Sequence, residues 1–215
     1  MEEIKIRKFE TRDRAAVRDI AWETAFIGEP ADAFFSGKEI LADFLTLYFT
    51  DYEPDSCFVA EAGGRVVGYL IGSLDSLRLA VIFKKKILAK LLIKFVFSGG
   101  IINLKNLRMI FSFFLSFLRG EFNTGEVRGS YPATLHINLK RNFRGKGVGA
   151  RLVLVFEQYL KDNGVKAVHL ATMSESAGIF FRKQGFNLLF QCRRSYFWHI
   201  SGKDIQVQLF AKKLV

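Results

Sequence analysis

Hydrophobic and polar positions along this chain change period several times, and each change marks an element. Residues 5–9 alternate as a strand does and run into Thr11-Arg-Asp-Arg14, a cluster suited to opening a helix. That helix is predicted over 12–26, with Ala16, Ile20 and Ala21 inward. A second is expected over 37–49, where Ile40, Leu41, Phe44, Leu47 and Tyr48 recur at helical spacing. The runs 57–61 and 65–72 flank Gly63-Gly64 and predict a hairpin, because paired glycines supply the positive φ that a tight turn needs. From Leu79 to Phe97 nearly every position is apolar, except that Lys86, Lys90, Lys94 and then Ser98 fall four apart on one helix face. Gly99-Gly100 breaks this run, and a further helix carries Lys105, Arg108, Ser112, Ser116 and Arg119 as its polar stripe.

A loop with Gly120, Gly125, Gly129 and Pro132 leads to an alternating strand at 134–140. The helix expected over 147–161 turns Leu152, Val155, Phe156 and Tyr159 to the core and ends at Asn163-Gly164, residues suited to a left-handed cap. A strand at 165–171, a short helix at 176–184 stopped by Gly185, and two closing strands at 186–199 and 205–212 complete the pattern. The result is an α/β chain of about seven strands without repeats. A single domain over residues 1–215, with a helical insertion at about 78–119, is the economical organisation.

Composition adds three points. Half the residues are apolar and a quarter charged, which excludes a disordered chain. The N-terminal stretch is too charged for a signal peptide, and the longest charge-free apolar runs, 95–104 and 109–118, are too short to span a bilayer. Cys57 and Cys192 lack metal-ligand spacing, so two reduced thiols, no metal and a cytoplasmic location are expected.

The net charge of +11 has one source: residues 78–119 hold nine Lys/Arg and no acid, while the remaining 23 basic residues nearly balance 21 acidic ones. Three roles stay open for that segment: packing on the domain as a wall of a site, a dimer or partner interface, or peripheral contact with an anionic membrane. Nucleic acid is not an expected partner, because the cations are interleaved with large aliphatics and no recognition module is present.

The chemistry concentrates at Arg141-Asn-Phe-Arg144-Gly145-Lys146-Gly147-Val148-Gly149-Ala150, between a strand and an amphipathic helix. Three glycines at alternate positions let the backbone curl, and the helix they open adds unpaired N–H groups and a positive dipole end. This is an anion cradle suited to a pyrophosphate, with Arg144 and Lys146 contributing charge. The P-loop pattern is absent, and no acidic residue sits where a dinucleotide fingerprint requires one.

Arg144-x-x-Gly147-x-Gly149 after a strand resembles the acetyl-CoA signature of the GNAT acetyltransferases. Phe143-Arg-Gly-Lys-Gly147 and Phe180-Phe-Arg-Lys-Gln-Gly185-Phe186 are similar to two further boxes of that family. Tyr131-Pro-Ala-Thr-Leu-His136-Ile-Asn138-Leu139 also resembles a bacterial subgroup akin to the acetyltransferase-like module of O-GlcNAc hydrolases. The likeness implies the GNAT fold, a mixed and mostly antiparallel sheet of about seven strands flanked by helices, with the basic hairpin inserted before the fourth strand. It implies acetyl-CoA as cofactor and a small-molecule amine as acetyl acceptor.

Residue by residue, the likeness places the pyrophosphate on the backbone of Arg144, Gly145, Lys146, Gly147, Val148, Gly149 and Ala150, and the pantetheine arm along the strand edge near Leu139. Ser176 stands in for a pantetheine-binding Asn, Phe180 and Phe181 flank the cofactor, and Lys183 or Arg182 lies near its phosphates. The family's box has a Tyr where this chain has Phe181, and that Tyr protonates the departing thiolate. Tyr196 or a water is the alternative acid. His136 and His169, the histidines of the central strands, are the candidates for base or relay. Glu23, Glu29 and Asp32 are expected near the acceptor side.

Overall fold

The computed structural model describes residues 3–122 and 127–214; Gly125 of the loop predicted above lies outside them. The strands are β1 (Ile4–Lys8), β2 (Cys57–Ala62), β3 (Arg65–Ser73), β4 (Ala133–Leu139), β5 (Ala167–Thr172), β6 (Asn187–Arg194) and β7 (Ile205–Lys213). They form one seven-stranded sheet in the order β1-β2-β3-β4-β5-β7-β6. Every neighbouring pair is antiparallel except β4 and β5, which run parallel. The helices are α1 (Arg14–Thr24), α2 (Lys38–Tyr52), α3 (Ser76–Ile82), α4 (Leu88–Phe97), α5 (Leu104–Leu118), α6 (Val148–Asp162), α7 (Glu175–Lys183) and a final short α8 (Trp198–Ser201).

Two layers of core hold the sheet. On one face Leu152, Phe156 and Leu160 of α6 and Phe181 of α7 meet Leu70, Leu135, Val168 and Phe210. On the other, Val17, Ile20 and Ala21 of α1 meet Val59, Tyr69 and Ile71. The β2–β3 hairpin turns at Gly63 and Gly64, whose φ values of 53° and 73° are the left-handed pair that such a turn requires.

Several predicted boundaries move. Thr11–Asp13 form a 3-10 turn before α1, which ends at Thr24; Val17 rather than Ala16 is the buried residue of its first turn. Phe44 of α2 is half exposed although it keeps helical register with the core positions. β6 stops at Arg194 instead of 199, because Tyr196 and Phe197 leave the sheet to pack with Phe26, Phe34 and Met109.

Segment 76–97 is helical throughout, with a π-helical turn at Phe83–Ile87 between α3 and α4. Asp75 caps its start, accepting hydrogen bonds from the Leu77 and Arg78 amides. Gly99, at φ 73°, turns the chain toward α5. The two helices do not lie on the sheet as one unit. Ile87 and Leu91 pack on Ile40 and Tyr48 of α2, whereas Met109 of α5 packs with Phe34, Phe197 and Ile205. Buried Asn106 links α5 to the α1–α2 loop through Ser36, donating to its carbonyl at 2.8 Å and accepting from its amide at 2.7 Å.

A polar knot closes the outer edge of the sheet. Arg7 donates to both carboxylate oxygens of Asp13, at 2.6 and 2.8 Å, and to Glu61 at 2.7 Å. Burial pushes the Asp13 carboxyl up, but the Arg7 hydrogen bonds, the Glu10 amide and the guanidinium charge outweigh it and hold the group below its usual range. A depressed carboxylate contributes stability that is full above its unfolded pKa of about 3.9 and is lost as pH falls through the folded value. Arg7→Met leaves Asp13 charged, buried and unpaired, so a loss of about 3 kcal/mol is expected at pH 7. The gap from wild type should narrow as pH approaches 3; urea melts at several pH values measure it, and a pH-independent gap would contradict the assignment.

Candidate active site

The parallel pair is the irregular place in the sheet. β4 and β5 are in register only at Ala133 with Val168 and Thr134 with His169. Beyond that point β4 continues along β3 to Leu139, and β5 continues along β7 to Thr172. Adjacent strands in mid-sheet therefore part, and a gap opens toward their C-terminal ends. Lys140 donates its amide to the Val67 carbonyl at 2.9 Å. Because ladder bonds alternate between neighbours along a strand, the amides and carbonyls of Ile137 and Leu139 face the gap.

The glycine loop stands at the mouth of this gap. Gly145 and Gly147 have φ values of 74° and 76°, while Lys146 between them keeps a negative φ. Such alternation turns successive amides to one side and makes a concave nest. Among the described residues, Arg144 donates to the Arg141 carbonyl and Arg151 to the Gly147 carbonyl, and no amide from Gly145 to Ala150 finds a protein acceptor. Six consecutive N–H groups at the start of a 15-residue helix are thus left for an anion. A Cβ at Gly145 or Gly147 would meet no heavy atom within 4 Å, so the space in front of the nest is open. These residues fit a diphosphate.

The sequence-predicted residues fall into three groups. Leu139, the 144–150 loop and Phe180 come together: the Phe180 ring lies beside Gly149, whose Cβ would stand 3.2 Å from it, with Leu139 next to both. Arg144 is in this group, but its guanidinium is engaged, donating to the Leu139 carbonyl at 3.0 Å and to the Gly28 carbonyl at 2.9 Å. It braces the α1–α2 loop against the mouth, and Lys146 is exposed beside the Phe143 ring with no ion pair among the described residues.

In the second group one side chain lies in the core and the others are exposed. Phe181 is 3% exposed and packs on Phe186 and Phe210 inside the core. Ser176 is exposed in the first turn of α7, 2.8 Å from the Ser174 hydroxyl that caps the helix. Lys183 is exposed in its last turn, and Glu23, Glu29 and Asp32 are all exposed.

The third group holds the candidate acid and bases. His136 and His169 line one cavity of about 310 Å³ on the α2 side of the sheet, with Phe44, Leu45, Phe49, Leu79 and Arg128. It lies against the point where β4 and β5 part. Burial lowers His136 to about 4, so its ring is neutral at pH 7. His169 is also lowered by burial, although the Tyr131 carbonyl lies 2.7 Å from its Nδ1. An Nδ1–H donated to that carbonyl leaves Nε2 as the acceptor. Tyr196 is held up at about 12 by burial, and its hydroxyl donates to the Met173 sulfur at 3.4 Å, just past the end of β5.

Arg128 and the half-exposed Phe44 were not among the sequence candidates. Phe44 carried one signal, an apolar side chain that remains on the outer side of α2. A larger hollow of about 410 Å³ between α5 and the C-terminal segment is lined by groups already paired, such as Arg193 with Asp204 at 3.2 Å and Glu121 with Ser195.

Residues 115–186, which span β4, the glycine loop, α6, β5 and α7, match the model of the acetyltransferase (GNAT) family. Over that third of the chain the sequence is similar to the GNAT acetyltransferases. Solved structures share its fold across the whole chain. "SsHAT" aligns over 99% of both chains at 22% identity with a TM-score of 0.72. The Drosophila melanogaster polyamine N-acetyltransferase, which catalyzes formation of N-acetylagmatine, covers 99% of this chain and 100% of its own at 20% identity and TM-score 0.64. A putative acetyltransferase from Salmonella typhimurium with its cofactor acetyl-CoA covers 99% and 94% at 13% identity and TM-score 0.57. No curated protein sequence matches the chain. No helix among the described residues is long and apolar enough to cross a membrane.

Proposed function

We propose that this domain transfers an acetyl group from acetyl-CoA to a primary amine of a small molecule. The observation that carries the reading is the open β4–β5 gap leading to six unpaired amides. The amides from Gly145 to Ala150 hold the diphosphate, with Lys146 beside it. Ile137 and Leu139 offer main-chain groups to the pantetheine arm, which lies along β4 as an added strand. Phe180 covers that arm, while Phe181 serves the core. Bound acetyl-CoA supplies an activated acyl carbon to a nucleophilic nitrogen.

The chain's own groups do the rest. The Ile137 amide facing the gap is the donor for charge developing on the carbonyl oxygen. Neutral His136 accepts the amine proton directly or through a water, and His169 backs it in the same cavity. Tyr196 keeps its proton across the physiological range, as an acid for the thiolate must. Agmatine and polyamine acetyltransferases among the structural neighbours support an amine acceptor of small size.

Thiol release from acetyl-CoA over a panel of amines, agmatine included, tests the reading, with turnover expected on at least one of them. Tyr196→Phe should then lower kcat about 100-fold with the KM for acetyl-CoA unchanged. A second reading is favoured by Phe181, which offers no proton where the family's box has Tyr: a domain that binds coenzyme A without catalysis. Binding by calorimetry with no turnover on any amine would select it.

A further inference from the structure

Seventeen of the 25 large apolar side chains exposed among the described residues lie between Leu77 and Leu118. This is about a fifth of the chain, so the exposure is concentrated. Ile87, with Leu91 and Phe95 of α4, faces α2, and the opposite arc of α4 presents Leu92, Ile93 and Val96, each about half exposed. On α5, Asn106, Met109 and Ser116 face the protein, and Leu107, Phe111, Phe114 and Leu118 form the outer arc. The connection between the helices is the most exposed part, with Phe97 at 87%, Ile102 at 79% and Leu104 at 82%. A contiguous apolar surface of this kind marks an interaction site.

Charge identifies the occupant. Residues 78–119 hold nine Lys/Arg and no acid. Among the described residues only Lys94 of the nine forms an ion pair, with Asp43 at 2.8 Å. Lys90, Lys94, Lys105 and Arg108 border the apolar arcs, at the positions where cations flank the buried face of an interfacial helix. A second copy is disfavoured, since a two-fold interface sets a patch against itself and would oppose nine cations to nine. Spanning is excluded for these helices by their length and charge.

We infer that the 76–118 segment docks the domain on an anionic lipid surface, its helices lying in the interface with the 97–104 tip inserted. The apolar arcs enter the acyl boundary and the unpaired cations meet lipid phosphates and carboxylates. Leu79 and Ala80 of this segment also line the cavity that holds His136. Docking therefore brings that cavity close to the lipid surface.

Co-sedimentation of the full chain with vesicles of phosphatidylcholine alone, or with a third phosphatidylserine, provides the test. Binding is expected on the mixed vesicles only, and 0.5 M NaCl should reduce it. The triple variant Lys85→Glu, Lys90→Glu and Arg108→Glu changes exposed positions without an ion-pair partner and should weaken partitioning about 100-fold. Phe97→Ser with Ile102→Ser, also at exposed positions, should weaken it at least tenfold, and retained acetyl-CoA binding certifies the fold of both variants. No pelleting, equal pelleting on the two compositions, or insensitivity to both variants would overturn the inference. So would sedimentation velocity showing a dimer that the Ser variant dissolves while vesicles stay unbound.

Discussion

Gly147→Glu is expected to lower acetyl-CoA affinity by about 100-fold or more while leaving the fold intact. Gly147 is the residue from which α6 starts, at φ 76°, in the middle of the six unpaired amides. Its missing Cβ faces open space, so no neighbour has to move. The cost of a side chain there is the left-handed backbone, about 1–2 kcal/mol, and it falls mainly on stability. A glutamate adds a negative charge within a few ångströms of the site for a diphosphate. Two like charges 4 Å apart repel by about 4 kcal/mol at the effective dielectric of a protein surface, and solvent exposure reduces this. Gly147→Ala separates the two effects and should keep affinity within about tenfold of wild type. Calorimetry with acetyl-CoA reads both variants, and wild-type affinity in the Glu variant would refute the cradle.

Phe156→Ala is expected to cost about 4 kcal/mol of stability, within the range for emptying a buried phenylalanine site. Phe156 is wholly buried and joins α6 to the centre of the sheet. Its ring fills the space over Gly72 of β3, where any Cβ would collide with it, and sits 6.4 Å from the rings of Phe58 and Tyr159. With a urea m value of about 2–3 kcal/mol/M, the midpoint should fall by roughly 1.5 M. A loss under about 1 kcal/mol would mean that α6 is seated by other contacts. Because α6 carries the amide nest at its first turn, this variant should also weaken acetyl-CoA binding wherever it is only partly folded.

The parts of the fold that depend on local chemistry were readable in the sequence. Gly63, Gly64 and Gly164 adopt the positive φ that their positions implied, and of the three loop glycines Gly145 and Gly147 adopt it while Gly149 does not. The amphipathic runs at 147–161 and 176–184 became helices within a residue or two at each end. What stayed hidden depends on neighbours distant in sequence. Tyr196, Phe197 and Trp198 have the composition of a strand, yet a cluster with Phe26, Phe34 and Phe122 draws the first two off the sheet.

The candidate site divides along the same line. The loop and its glycines were legible because the backbone itself binds. The engagement of Arg144 with Gly28, 116 residues away, and the meeting of Arg128, His136 and His169 in one cavity have no local signature. For the helices of 76–97 and 104–118 the sequence left several roles open. They bury one narrow side each, and their partners are α2 and the C-terminal segment.

The two-rung junction between β4 and β5 has a mechanical consequence. Four strands on one side and three on the other are each laced by antiparallel ladders, and they are stitched together along a short seam. Flexure along this seam widens or narrows the slot while every ladder survives. The molecule is in this respect a pair of stiff plates with a compliant crease, and a guest lying in the crease stiffens it.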